Sequence, residues 1–164
     1  MSANIRNIPP VCLTISLFGL LTRRHRYSRK YLGKTIFMED GSRFIVFRQL
    51  TQDPIHHRTE NCIFIVRFKF TRLSHKLNKL ASIIPMLIIA GFPGFMTKIY
   101  AVNPDNGFWQ GMYQWKSTYH LDKYKNSMIF KIMNKRAISD SMISFVLTGQ
   151  NINDFIDDHL IGSE

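Results

Sequence analysis

The chain is poor in cysteine and acid, and it has no apolar run long enough to span a bilayer. Its two cysteines, Cys12 and Cys62, are far apart in a chain of 164 residues. They offer no disulfide framework and no Cys/His spacing of a metal site. A reducing, cytoplasmic setting is therefore expected, with Cys62 a buried strand residue. Asp and Glu number 11 against 22 Lys and Arg, a net charge of +11. The excess is uneven: residues 1–48 hold nine Lys and Arg against Glu39 and Asp40. The C-terminal end instead carries Asp154, Asp157, Asp158 and Glu164, with no basic residue among them. This pattern describes a basic arm rather than a basic groove. Without an RNP-like aromatic motif or a recognition helix, nucleic acid is disfavoured as a partner. His56 and His57 have no companion at ligand spacing, so no metal is expected.

The longest N-terminal apolar run, Val11 to Leu21, falls short of the roughly 20 residues that a spanning helix needs. Arg23, Arg24, His25, Arg26, Arg29 and Lys30 follow it. A secretory signal has the reverse order, with its charge first. Residues 1–30 therefore read either as a short anchor, with residues 11–30 against an anionic membrane surface, or as a loosely packed arm.

A hydrophobic fraction of 45% and an aromatic fraction of 13% are ample for one packed domain. Lys34–Leu50 reads as a hairpin, with Asp40-Gly41 in a two-residue type I′ turn. Thr51–Asn61 is a polar connector containing Pro54. Cys62–Phe70 alternates as a strand: Cys62, Phe64, Val66, Phe68 and Phe70 face one way, and Ile63, Ile65, Arg67 and Lys69 the other. That pattern predicts a sheet covered by helices on one side. Ser74 is placed to cap a helix carrying Leu77, Leu80, Ala81 and Ile84, which Pro85 ends or kinks. Phe95–Val102 and Phe108–Trp115 are strands joined through Asn103-Pro104-Asp105-Asn106-Gly107. Gly111 marks a bulge or a close approach by another group. Ser117 or Thr118 caps a second helix, running to about Ala137. Ser141–Thr148 reads as the last strand, and Asn151–Leu160 as an amphipathic helix. The segments expected are an arm (1–30), a hairpin with connector (31–58), a core domain (59–150) and an acidic tail (151–164).

Between Cys62 and Thr148 the order is strand, helix, strand, strand, helix, strand. This is the α+β, ferredoxin-like (βαββαβ) arrangement. Phe92-Pro93-Gly94-Phe95 leads into a strand with Lys98 and Tyr100. A turn follows, then Gly111-Met112-Tyr113 and a helix with Tyr124. In these features the chain resembles the mono-oxygenase-like branch of the dimeric α+β barrel superfamily, the antibiotic-biosynthesis-monooxygenase-like proteins. The resemblance covers residues 62–148. It implies a homodimer whose sheets pack face to face, and a small apolar pocket between sheet and helices in each subunit. The N-terminal hairpin is an addition to the compact family pattern.

The function the resemblance implies is a cofactor-independent monooxygenase acting on a small aromatic or polyketide-like molecule. Such chemistry needs a dry pocket and a group that removes a phenolic proton. Lys98 and Tyr113 are the candidate catalytic residues. Arg67, Tyr100, Trp109, Trp115 and His120 are candidates for substrate binding, although aromatic residues in strands more often build core. Haem would require an axial histidine. His75 and His120 are the domain's candidates and neither has a ligand-like context, so no cofactor is expected. The competing reading is a non-catalytic, membrane-tethered dimeric module that binds a ligand or serves a structural role.

Overall fold

A computed structural model of the chain describes residues 7–52, 61–70, 75–138 and 140–160. The expected cap at Ser74, Pro54 and the His56–His57 pair lie outside the described residues.

The centre is built from β4 (Cys62–Phe68), β5 (Phe95–Val102), β6 (Trp109–Trp115) and β7 (Ile143–Thr148). β6 lies between β5 and β4, and β7 is on the far side of β4, every neighbouring pair antiparallel. β4 and β5 are thus parallel strands separated by β6, which is the split βαβ unit of a ferredoxin-like fold. The β5–β6 turn is as the sequence predicts. The side-chain oxygen of Asn103 accepts from the backbone N–H of Asp105 and Asn106, and Gly107 takes a positive φ of 73°.

The sheet extends beyond β5. β3 (Arg43–Gln52) pairs with β5, and its other edge is shared by β1 (His25–Tyr27) and β2 (Thr35–Phe37). Glu39 and Asp40 form the centre of the β2–β3 turn, closed by Gly41 N–H donating to the Met38 carbonyl. Only Gly41 there has positive φ, so the turn is a three-residue loop with a glycine bulge instead of type I′.

The helices between these strands are each broken once. α2 (His75–Ala81) stops before α3 (Ile83–Ala90). Pro85 supplies no N–H to the Ala81 carbonyl and its ring crowds it, so the break falls four residues before the proline. α4 (Thr118–Lys125) gives way to α5 (Met128–Arg136), whose cap Ser127 accepts from the Phe130 N–H at 3.2 Å. α1 (Pro9–Leu21) packs on α3. A Cβ at Gly91 would come within 1.8 Å of the Cys12 carbonyl oxygen, so only glycine permits this approach. The expected apolar arm is therefore a docked helix. Among the described residues, no helix is long and apolar enough to cross a membrane.

The sheet is covered on both faces, where one covered face was expected. α1, α3, α4 and α5 lie against Cys62, Phe64, Val66, Tyr100, Tyr113 and their neighbours. Ile63, Ile65, Ile99, Ala101 and Met112 point the other way. They are buried under Tyr31, Ile36 and the apolar side of α6 (Ile152–His159), namely Ile152, Phe155 and Ile156.

Candidate functional site

Lys98 sits in the middle of β5 with 0% of its surface exposed. Strand periodicity puts its side chain on the same face as Tyr100 and beside Tyr113, its cross-strand partner on β6. Its Nζ donates to the Tyr100 hydroxyl, and lies 4.1 Å from the Tyr100 ring centroid and 4.5 Å from that of Tyr113. Tyr113 has room because residue 111 is glycine. A Cβ there would meet the Tyr113 ring at 2.9 Å, so Gly111 marks a close approach and not a bulge.

The surroundings are aromatic. Tyr124 on α4 lies 5.8 Å from Tyr113 and stacks on Trp115 at 4.9 Å between centroids. Trp109 meets Tyr100 edge-on at 6.2 Å, and Phe47 stacks on Tyr100 at 5.8 Å while touching Trp109 edge-on at 4.9 Å. The indole N–H of Trp115 is buried without a hydrogen-bond partner among the described residues.

Burial sets the ionisation of this cluster. It pushes the Lys98 amine well below its ordinary value, and the positive charge of Arg48 pushes the same way. Burial likewise raises the hydroxyls of Tyr100, Tyr113 and Tyr124, with the neighbouring phenols adding to it. No Asp or Glu among the described residues pairs with Lys98. Burial thus disfavours charge on the amine and on the phenols alike, in a site closed to water.

The structure brings together five of the seven sequence candidates: Lys98, Tyr100, Trp109, Tyr113 and Trp115. Arg67 is on the opposite sheet face, where it bonds Gln110 at 2.7 Å and pairs with Asp40. His120 is at the start of α4, bonded to Ser117 at 2.9 Å and packed over Gly94. Two participants were not among those candidates. Tyr124 entered the sequence reading as part of the family resemblance and not as a site residue. Arg48 is held at 2.5 Å from the Ser82 hydroxyl, and its face could not be counted from sequence. A bulge between Val46 and Arg48 changes the parity of β3. Phe44 and Val46 face α6, whereas Leu50 faces the helical layer.

No protein-family model and no curated protein matches the chain. Solved structures do. A monooxygenase-like protein from Listeria innocua aligns with a TM-score of 0.52 at 8% identity, over 70% of this chain and 68% of that one. At this identity the likeness shows a shared fold, the ferredoxin-like one already read from the strand order. A haem-degrading enzyme from Listeria monocytogenes aligns with a TM-score of 0.51 at 10% identity, over 82% of this chain and 92% of its own. A staphylococcal regulator of pathogenesis gives 0.52 at 11% identity, over 84% of this chain and 93% of its own. The last two alignments extend beyond residues 62–148. Other neighbours are longer: the chain spans 57% of an anthrone oxidase-like protein and 50% of a Fusobacterium nucleatum protein.

Proposed function

We propose that the chain is a cofactor-independent monooxygenase that seats a small electron-rich phenol against Lys98, Tyr100 and Tyr113. The observation carrying this reading is the wholly buried Lys98 amine, with no carboxylate partner among the described residues, inside a ring of aromatic side chains. A neutral amine in a dry site is a base for a phenolic proton. The phenolate gives one electron to O2, and the resulting radical pair combines at the para carbon. The peroxide then loses water as the O–O bond breaks and the para C–H proton leaves. Phenol plus O2 thus gives quinone plus water, and the proton held by Lys98 returns to the leaving oxygen. In this reading Tyr113 and the Trp115 N–H hold the substrate oxygen. Trp109 and Tyr100 supply stacking surface.

The test is oxygen uptake with 1-naphthol, whose product would be the 1,4-quinone. Turnover in the wild-type chain should fall by about 10²–10⁴-fold in Lys98→Met, with an unchanged circular dichroism spectrum. Tyr113→Phe should raise KM more than it lowers kcat. Of the described histidine side chains, His25 packs on Phe95, His120 bonds Ser117 and His159 stacks on Phe155.

The competing reading, a non-catalytic tethered dimeric module, is favoured by one fact: Lys98 already has a hydrogen-bond acceptor and no exposed atom. It predicts ligand binding that quenches tryptophan fluorescence with no oxygen uptake by wild type.

A further inference from the structure

The helices on one side of the sheet carry an uncovered apolar surface. On α1, Phe18 is 66% and Leu21 84% exposed, opposite the face that buries Cys12, Ser16 and Gly19. α1 packs on α3, and α3 on α2 and α5, so the exposed Leu80, Ile84 and Ile132 belong to the same layer. Together α1, α2, α3 and α5 contain Lys76, Lys79, Lys131, Lys135 and Arg136 and no Asp or Glu, and Arg23 and Arg24 follow directly after α1. Acidic charge is gathered across the sheet, where α6 carries Asp154, Asp157 and Asp158.

An exposed apolar patch calls for an occupant. A patch framed mainly by positive charge, with Asp122 of α4 the acid in this layer and the α6 acids on the far side of the sheet, is complementary to an anionic bilayer and is oriented by it. The edge of the layer is shaped for a headgroup as well. Ile15 and Phe18 wall a pocket of about 270 Å³ that Arg24 and Lys116 also line, and no acidic residue does.

We propose that this helical layer is a peripheral docking face for anionic lipid. Phe18 and Leu21 enter the acyl boundary, the lysines meet the headgroups, and the Arg24–Lys116 pocket takes a headgroup anion. No spanning helix is needed, since an interfacial helix binds through its apolar area and its basic neighbours. The inference is independent of catalysis.

The experiment is co-sedimentation of the full chain with vesicles of phosphatidylcholine alone or mixed with phosphatidylserine. Binding is expected only to the mixed vesicles, and it should be lost in high salt. Phe18→Glu/Leu21→Glu should weaken it by about tenfold or more, with the circular dichroism spectrum retained. Lys76→Gln/Lys131→Gln/Lys135→Gln changes three exposed positions and should weaken it without perturbing the fold, which keeps the test decisive if the double variant misfolds. Failure of the wild type to bind mixed vesicles at low salt overturns the proposal, as does undiminished binding by the variants. A wild-type dimer that Phe18→Glu/Leu21→Glu turns into a monomer, with no vesicle binding by either, would assign the face to a second copy instead.

Discussion

Lys98 is an expensive residue for a core, and its cost can be read from pH. The folded chain releases the Lys98 proton at a lower pH than the unfolded chain, whose lysines titrate near 10.5. Between those two values the unfolded state holds a proton that the folded state does not, so stability rises with pH across that window. Above about pH 10 the buried tyrosines act in the opposite sense. Their folded pKa values are raised, so the unfolded chain ionises first and stability falls. Denaturant midpoints measured from pH 6 to pH 11 should therefore pass through a maximum near the alkaline end. Lys98→Met should flatten the rising limb and be the more stable protein at neutral pH, because it removes the buried amine at similar volume. A wild-type midpoint that does not rise with pH relative to the variant would mean that Lys98 reaches water in solution. That result would also remove the basis for its role as a proton acceptor.

Among the elements, α6 changes the character of the sheet most. From sequence it is an amphipathic helix with acids on one side and Ile152, Phe155 and Ile156 on the other, and that much was legible from spacing. Its destination was not legible, because β4 shows Arg67 and Lys69 on the face α6 covers and so looks half solvated. The structure resolves the conflict at the strand ends: Arg67 reaches past the core to Asp40 and Gln110, leaving Ile63 and Ile65 for α6. Ile156 is fully buried, so Ile156→Ala should cost about 2–4 kcal/mol through lost transfer energy and a cavity. Chemical denaturation measures it, with an unchanged m value expected. A cost below about 1 kcal/mol would fit a tail that is only loosely seated. The broken helices teach a related lesson. Pro85 announced a break but not its position, which is fixed by the carbonyl four residues earlier. The single helix read from Ser117 to Ala137 missed the cap at Ser127, whose hydroxyl competes with the helical backbone.

For the whole molecule, alternation, turn chemistry and the order of elements sufficed to place β4 to β7, whereas the register that sets Lys98 opposite Tyr113 came from the structure. Where α1 docks depends on a carbonyl passing over Gly91, and the faces of β3 depend on a bulge, and neither leaves a periodic trace in sequence. The second covered face also bears on assembly. A dimer formed by stacking two sheets, as the resemblance implied, would need the surface that α6 and Tyr31 fill within one chain. β7 remains an edge. Among the described residues it pairs with β4 alone, and Ile143 and Val146 on it are exposed. An unprotected edge with apolar side chains is a template for strand pairing. If the chain forms the proposed homodimer, antiparallel pairing of β7 with its counterpart is the contact this architecture leaves open, continuing one sheet through both subunits. Light scattering after size exclusion should then give twice the chain mass for wild type. Ile143→Lys/Val146→Lys should give a monomer with the same circular dichroism spectrum, since lysines on an edge strand oppose its pairing with another chain. A wild-type monomer removes the dimer, and a dimer that survives both lysines places the contact elsewhere, with the exposed helical layer the next surface to substitute.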